Sequence, residues 1–461
     1  MKGVCLFVGR ASLILSLFAI FITLHFWQEP LISTIRTLNG STSDDVSLQL
    51  DVSLLSGHDS NEPRIGIVRS SKGAGQTIET QARTEPFSCD HRTGDPEMFD
   101  KSTAIVESIM SHGHSISELQ CPSVNEERYS VLRHVKKSNS MPKYFFALDL
   151  HQSIHVIDQL LGSVVDAIRY LGPANCFLSI LEGRSTDGTY EVLKELKAQL
   201  PNLGIHYQLQ CNEDDPFGEG RDRIVTLASF RNYALLNLTS DPGLFDPDTV
   251  IVFLNDVALC TEDILELIYQ RQSLEADMTC AMDWINGGSL FYDVWISRMM
   301  NGETFFEVPQ SGSWDFSSNL FWNDRKTKDR YSLGYPFQVF SCWNGAVVMT
   351  ANPFLEQKIR FRSEHDGECR LGEPVHLCKD LWKLGHGRIA VIPSVNVAYQ
   401  MEDASSAKDK HGTVSSWVTR QDAAENKIVW KAKPPQLVKC VTPWNQPSWE
   451  DWDQGLPGWL P

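Results

Sequence analysis

The chain contains 461 residues, of which 41 are lysine or arginine and 58 are aspartate or glutamate, for a formal net charge of −17. This length has room for one large domain or two. The acidic balance argues against nucleic acid or another polyanion as a partner, because such partners require a basic surface.

The first feature along the chain is an apolar segment near the N-terminus. Residues 11–28 contain no Asp, Glu, Lys or Arg, and their number is near the minimum of about 17–25 residues that spans a bilayer. Lys2 and Arg10 precede the segment, which favours a cytosolic tail at residues 1–10. A cleaved signal peptide is the alternative, but the sequence Phe-Trp-Gln-Glu-Pro that ends at Pro30 is a poor cleavage site. We therefore predict an uncleaved transmembrane signal anchor, with the rest of the chain in the lumen of the secretory pathway.

The composition changes after the anchor. Residues 29–86 are rich in Ser, Thr, Gly and Asp and contain few aromatic residues, which is typical of a flexible stem. Two sequons predict N-glycosylation, at Asn39 and at Asn237. The second sequon falls in a predicted helix, which disfavours its occupancy.

Cysteine usage agrees with a lumenal location. Ten of the 11 cysteines follow the anchor, and an even number permits complete pairing in an oxidising compartment. The spacing does not define the connectivity, although we expect both Cys369 and Cys378 to be bridged.

Strand and helix patterns alternate from residue 144 onward. Apolar runs typical of buried strands occupy residues 144–150, 175–181, 204–210, 250–254 and 277–282. Helical spacing occupies residues 152–171, 190–200, 223–238 and 261–271. This order predicts an α/β domain at residues 87–400 with a doubly wound, Rossmann-type and mostly parallel sheet. Strand patterns at residues 343–350 and 388–398 complete the domain, and a Trp-rich extension occupies residues 401–461.

Asn255 and Asp256 follow the strand predicted at residues 250–254. In open α/β sheets ligands bind at the carboxyl ends of the strands, and a hard divalent cation that holds a diphosphate needs oxygen ligands there. An Asx turn after a strand is the ordinary alternative. Asp256 is nevertheless the candidate metal ligand.

The loop at residues 182–189 has the same strand-then-polar-turn form. Its acidic residues Glu182 and Asp187 can bond a ribose or a base, and the following helix directs its N-terminus toward a phosphate-rich ligand. An ordinary strand-to-helix loop in which Asp187 or Thr189 caps the helix explains the pattern equally well.

Three further positions are candidates for the chemistry of the site. Arg231 lies in an apolar helical stretch and has a guanidinium suited to bidentate phosphate contact. Asp283 ends the fifth predicted strand and shares its sheet edge with Asp256. Asp380 lies close to Cys378.

Together these segments resemble the fungal capsule-associated α-1,3-mannosyltransferase family, whose members are Golgi glycosyltransferases of the nucleotide-sugar (GT-A-like) type. The resemblance covers residues 143–400 in consistent order. The matching segments are residues 145–151, 171–173, 179–189, 227–235, 253–257, 280–284, 291–295, 342–345, 378–382 and 387–393.

The resemblance implies transfer of mannose from GDP-mannose to a mannose-containing glycan acceptor, with a divalent metal, Mn²⁺ or alternatively Mg²⁺. It also implies that Asp256 is the main metal ligand with Asn255 beside it, and that Glu182 and Asp187 line the nucleotide pocket. The metal motif departs from the two-carboxylate pattern, because Leu254-Asn-Asp256 carries a single carboxylate.

A retaining transfer from an α-linked donor needs no dedicated enzymic base, so Asp283 and Asp380 are candidates to position the acceptor hydroxyl. The resemblance further implies a single-pass type II Golgi membrane protein. Two other classes stay open: a catalytically inactive lumenal glycan-binding protein on the same fold, and a scaffold within a polysaccharide-synthesis complex.

Overall fold

The computed structural model describes residues 88–111, 119–133, 142–241, 243–422, 424–456 and 458. The predicted cytosolic tail, anchor, stem and Asn39 sequon lie outside these residues. Within the described part of the chain, no helix combines the length and apolar character needed to cross a bilayer.

The N-terminal half of the domain alternates strands with helices, as predicted. Its strands are β1 Tyr144–Leu150, β2 Cys176–Gly183, β3 His206–Asn212 and β4 Val250–Leu254. Its helices are α1 Pro96–Met110, α2 Glu126–Arg133, α3 Ile154–Leu171, α4 Thr189–Gln199, α5 Arg223–Ala234, α6 Leu236–Ser240 and α7 Thr261–Ser273. The four strands pair in parallel in the order β3-β2-β1-β4. The predicted strand and helix alternation is therefore confirmed here.

The C-terminal half adds strands of both directions. These strands are β5 Met278–Ile285, β6 Leu290–Phe291, β7 Arg298–Met299, β8 Phe337–Ser341, β9 Ala346–Thr350 and β10 Ile389–Ala398. The main path of the sheet is β3-β2-β1-β4-β9-β5-β10-β8-β7, with β6 paired to β5. Because β9 is antiparallel to both β4 and β5, and β10 is parallel to β5, the strands β1–β5 and β10 share one direction. The central sheet is thus largely parallel, and its carboxyl ends meet at one edge.

Hydrophobic cores cover both faces of this sheet. Along β1, Phe145 and Ala147 belong to one core, whereas Phe146 and Leu148 belong to the other. Helices α3, α4 and α7 pack on the second face, and α5 packs on the first. Burial on both faces explains why these strands are continuous apolar runs.

The remaining elements follow the same chain order. The helices are α8 Arg325–Ser332, α9 Asn352–Leu355, α10 Glu373–Lys383, α11 Met401–His411 and α12 Val414–Val418. A separate antiparallel hairpin is formed by β11 Leu437–Cys440 and β12 Ser448–Asp451.

The Trp-rich extension packs on the domain through its indole groups. Trp417 donates to the carbonyl of His411 at 2.6 Å, and Trp444 donates to the carbonyl of Gly312 at 2.9 Å. Trp430 donates to the carbonyl of Leu274 in the α7–β5 loop at 3.2 Å. Trp430 and Trp444 therefore attach the extension to the domain, whereas the Trp417 bond lies within the extension.

Four disulfides join distant parts of the described chain. They are Cys89–Cys211, Cys121–Cys260, Cys280–Cys342 and Cys369–Cys440. Cys176 and Cys378 are buried free thiols. The expectation that Cys378 is bridged is therefore wrong, because the cysteine that reaches Cys369 comes from the C-terminal hairpin.

The helix predicted at residues 223–238 is interrupted at Leu235, which separates α5 from α6. Asn237 lies in α6, as expected from its sequence, and its side-chain oxygen is buried.

Candidate active site

Polar side chains gather at the edge of the sheet where the parallel strands end. Asn255 and Asp256 directly follow β4, and Tyr399 directly follows β10. Asp149 and Asp283 lie close to the ends of β1 and β5. We call these five residues the edge cluster. It occupies the position at which open α/β sheets bind their ligands.

Arg231 from α5 reaches into the edge cluster. Its Nε donates to Glu373 Oε1 at 2.6 Å, and Nη1 donates to Asn255 Oδ1 at 3.3 Å. Its guanidinium carbon lies 4.3 Å from the centroid of the Trp343 ring. Contacts on three sides hold this cation in one orientation, and such preorganised charge is what a site for a diphosphate requires.

Asn255 connects the separate walls of the site. Its Oδ1 also accepts from the Trp343 indole at 3.0 Å, and its Nδ2 donates to Tyr399 Oη at 3.4 Å. Its backbone N–H donates to the carbonyl of Gly345 at 2.9 Å. The amide that replaces a carboxylate in the expected metal motif therefore organises the site through hydrogen bonds.

The Trp343-Asn-Gly345 turn forms the floor between β4 and β5. Asn344 and Gly345 both have left-handed backbones, with φ of 57° and 76°. A Cβ on Gly345 would lie 2.9 Å from the Val257 side chain, so glycine is required there.

Asp283 is fully buried. Its Oδ2 accepts from Tyr399 Oη at 3.1 Å, and its Oδ1 accepts from the backbone N–H of Asp293 at 3.2 Å. Asp293 in turn accepts from the Asn344 N–H at 2.7 Å. Burial, together with the nearby Asp293 carboxylate, raises the pKa of Asp283 well above its usual range. Asp283 lies at the sheet edge as predicted, but the Tyr399 hydroxyl covers one of its carboxylate oxygens.

Asp256 is half-buried beside this group. Burial raises the pKa of its carboxyl to about 6, an effect opposed by His155 and Arg231. Burial also raises the pKa of Asp149 to about 7, with Arg231 opposing the shift and Asp256 adding to it. Because burial is the main cause of both shifts, the nearby positive charges do not fully compensate these carboxylates, and a bound cation would do so.

The carboxylates of Glu182 and Asp187 have local partners. Glu182 is buried and accepts from Arg92 and, at 2.7 Å, from the Ser185 N–H. Asp187 accepts from backbone N–H groups at the first residues of α3 and α4, each at 3.0 Å. Both residues lie at the carboxyl end of β2 as predicted, where they fix the shape of the β2–α4 loop. Their predicted contact with a nucleotide stays a prediction.

Asp380 lies outside the edge cluster. It forms a bidentate pair with Arg362 at 2.8 and 2.7 Å, and Arg362 also bonds Glu368 at 2.6 Å. Asp380 lies on α10, about two helical turns after Glu373. The structure therefore brings Asp283, Arg231, Asn255 and Asp256 together but does not bring Asp380 to them.

Sequence comparison places this site within a known family. The family model described as Cryptococcal mannosyltransferase 1 matches residues 143–380. The chain is also 34% identical over 338 residues to an α-1,3-mannosyltransferase of Cryptococcus neoformans, a match that covers 69% of this chain and 71% of that protein. The chain belongs to the fungal capsule mannosyltransferase family. The family match contains every residue of the edge cluster except Tyr399.

Two solved structures show a weaker likeness to this chain. The 1–349 fragment of S. aureus TarS matches with a TM-score of 0.33 and 16% identity, over 60% of this chain and 71% of that one. The mannosyltransferase PcManGT of Pyrobaculum calidifontis, solved with GDP-Man and Mn²⁺, matches with a TM-score of 0.33 and 9% identity, over 66% and 67%. At this TM-score neither likeness supports an inference.

The donor set at Asp256 fits a hard divalent cation. A partly exposed carboxylate whose pKa burial has raised lacks full charge compensation, and oxygen is the ligand type that Mn²⁺ and Mg²⁺ prefer. Among the described residues, a group of three His, Cys, Asp or Glu side chains close enough to share a metal ion occurs only at Cys369, Cys440 and Glu450. Both of these cysteines are disulfide-bonded. A cation held by Asp256 would therefore complete its coordination with diphosphate oxygens and water.

The sequence patterns assigned no role to three residues of this site. Glu373 and Tyr399 reach the edge cluster from elements about 120 to 145 positions after Asp256, and Trp343 reaches it from the turn before β9. Tyr399 had a usable signal, because it directly follows a predicted strand. Glu373 had none, since its helix was not predicted.

Proposed function

We propose that this protein transfers mannose from GDP-mannose to a mannoside acceptor, forms an α-1,3 linkage, and requires a divalent cation, Mn²⁺ or Mg²⁺. Membership of the mannosyltransferase family supports the transferred sugar. The observation that carries the proposal is the Asp256 carboxylate at the end of β4, beside the fixed guanidinium of Arg231.

The electrostatics of the edge cluster suit a GT-A-like nucleotide-sugar site. GDP leaves readily only when the negative charge that develops on its diphosphate is neutralised. Asp256 would hold the cation, which supplies that neutralisation as a Lewis acid. Arg231 adds a fixed guanidinium donor, because its contacts with Glu373, Asn255 and Trp343 hold it in place.

Retention of the α configuration is consistent with the arrangement of the acids. In a front-face displacement the bond from mannose C1 to the diphosphate breaks as the acceptor oxygen bonds to C1 on the same side. The acceptor proton passes to the departing phosphate oxygen. No carboxylate has to remove that proton, which agrees with the complete burial of Asp283.

We further propose that the protein acts in the Golgi lumen as a single-pass type II membrane protein. Support comes from the uncharged segment at residues 11–28 and from the four disulfides, which form in oxidising compartments. A role in capsule or cell-wall glycan synthesis follows from the family.

The direct test is a transfer assay with full-length protein purified in detergent. Radiolabelled GDP-mannose, an α-linked mannose disaccharide and Mn²⁺ should give a labelled trisaccharide, and methylation analysis should show a 1,3-linkage. UDP-glucose serves as the control donor. Glycan binding without any turnover of GDP-mannose would instead identify the inactive glycan-binding class, and a different linkage would refute the α-1,3 assignment alone.

A further inference from the structure

Tyr399 lies between Asn255, which follows β4, and Asp283 of β5 in the edge cluster. Its hydroxyl donates to Asp283 Oδ2 at 3.1 Å and accepts from Asn255 Nδ2 at 3.4 Å. Asn255 immediately precedes Asp256, the candidate metal ligand, whereas Asp283 lies near the carboxyl end of β5. One phenol therefore contacts both groups.

The position of Tyr399 follows from the register of the sheet. Ala398, the last residue of β10, pairs with Trp284 of β5, and Val397 pairs with Asp283. The backbone carbonyl of Tyr399 lies 3.0 Å from His155 Nε2. The Tyr399 ring packs edge-on against Tyr292, with the ring centroids 5.0 Å apart. Backbone pairing and ring packing thus hold the phenol in place.

Asp283 lacks direct access to a ligand. The residue is fully buried, and both carboxylate oxygens already accept hydrogen bonds, one from Tyr399 and one from Asp293. Tyr399 is only half-buried. After donating to Asp283 and accepting from Asn255, its oxygen retains some capacity to accept a bond from a substrate hydroxyl.

We propose that Tyr399 is the residue that receives the acceptor sugar hydroxyl, and that Asp283 is a positioning residue that acts through it. Before reaction the acceptor hydroxyl donates to the phenol oxygen while the phenol proton stays bonded to Asp283. This arrangement orients the acceptor oxygen toward Asn255 and Asp256, where the proposed sugar donor would bind. As the bond between the acceptor oxygen and mannose C1 forms, the acceptor proton leaves the phenol oxygen for the departing phosphate oxygen. The inference rests on the proposed function and adds the residue that presents the acceptor.

Two substitutions separate this role from direct action by Asp283. Tyr399→Phe keeps the ring and its packing against Tyr292 but removes the hydroxyl. Asp283→Asn keeps an oxygen that can accept from Tyr399 but removes the charge. If the two residues act as one unit, their effects on transfer are not additive.

The experiment compares wild-type, Tyr399→Phe, Asp283→Asn and the double variant, all as full-length protein in detergent. The readouts are mannose transfer to the disaccharide, hydrolysis of GDP-mannose to water, and KM for each substrate. Tyr207→Phe is the matched control, since its phenol donates to a backbone carbonyl at 3.1 Å and lies near the opposite end of a parallel strand.

We expect Tyr399→Phe to lower transfer about tenfold or more and to raise the ratio of hydrolysis to transfer, with the KM for GDP-mannose changed less than twofold. The double variant should lose no more transfer activity than the more impaired of the two single variants. Tyr207→Phe should match the wild type. Circular dichroism confirms folding, and the Tyr399→Phe ratio decides the question even if Asp283→Asn does not accumulate.

Near wild-type transfer by folded Tyr399→Phe would overturn the inference and leave the proposed function intact. Additive losses in the double variant would also overturn it, because they would show independent roles. Equal losses of transfer and hydrolysis would mark Tyr399 as a donor-site residue and overturn it as well. Absence of transfer and hydrolysis in the wild-type protein would overturn both proposals.

Discussion

Arg231 and Glu373 form an ion pair across the candidate active site, with Nε and Oε1 2.6 Å apart and with side chains 13% and 3% exposed. The pair joins α5 to the first residue of α10. Because both charges are largely removed from water, neither can lose its partner cheaply.

Arg231→Met should lower the free energy of unfolding by about 3–5 kcal/mol, because it leaves the Glu373 carboxylate buried and unpaired. The double variant Arg231→Met/Glu373→Met should recover part of this loss. Urea denaturation at pH 7 measures both. Arg325→Met, which removes a 93%-exposed side chain, is the control and should leave the urea midpoint unchanged. Equal losses in the single and double variants would contradict this account.

Asp256→Asn should lower mannose transfer on the order of a thousandfold, since an amide cannot match a carboxylate's attraction for the cation that stabilises the leaving diphosphate. EDTA should have the same effect on the wild-type protein. Asp100→Asn, an exposed carboxylate in α1, is the control for the charge change. A folded Asp256→Asn protein with EDTA-resistant transfer would remove the metal assignment.

Cation binding should weaken below pH 6. Burial raises the pKa of Asp256 to about 6, above an ordinary value of about 3.9, so the folded protein retains a proton that the unfolded chain has released. The metal-free protein should therefore lose stability as the pH rises from about 4 to 6, and Mn²⁺ should compete with that proton.

The measurement is the increase in melting temperature on addition of Mn²⁺ at pH 5, 6 and 7. We expect a small increase at pH 5 and a larger one at pH 7. Asp256→Asn should show no increase at any of these values. An increase independent of pH would show that the cation binds elsewhere.

Alkylation should detect few thiols in the oxidised protein. Eight of the 11 cysteines form the four disulfides, and the buried Cys176 and Cys378 are free. Without denaturant these two should not react. In denaturant without reductant, mass spectrometry should find three modified cysteines, namely these two and Cys5. Modification of Cys280 or Cys342 would contradict the pairing.

The protein should resist carbonate extraction from microsomes, and its C-terminal domain should be protected from protease until detergent is added. The physical reason is the uncharged segment at residues 11–28, because Lys2 and Arg10 precede it and favour a cytosolic N-terminus. N-terminal sequencing provides the control, because a mature chain that begins near residue 30 would show cleavage and refute the anchor.

The sequence predicts the parallel half of the sheet well because each strand there is a separate apolar run. The bounds of β1 and β4 match the prediction to the residue, and those of β2 and β3 differ by about two. Beyond Asp283 periodicity weakens, and α10 and β8 were not predicted. Their positions depend on contacts with distant segments, such as the pairing of β8 with β10, which local patterns do not encode.

The candidate site shows the same division. Asn255, Asp256 and Asp283 were predicted because they follow strands, and that position is a local property. The partners that fix them were not predicted. Glu373 arrives through a helix that has no clear local signal, whereas Tyr399 follows a predicted strand but its contacts with Asn255 and Asp283 depend on tertiary folding. The pairing of Asp380 with Arg362 likewise depends on tertiary folding and is not evident from its sequence neighbours, and the predicted role of Asp380 stays a prediction.

Strand β9 also sets the distance between β4 and β5. Neighbouring strands lie about 4.8 Å apart, so inserting β9 between β4 and β5 holds the backbones of these two strands about 10 Å from each other. Backbone hydrogen bonds along two antiparallel ladders maintain this gap. Substitutions of side chains at the ends of β4 and β5 can therefore change the chemistry of the edge cluster while the distance between the two strands stays constant.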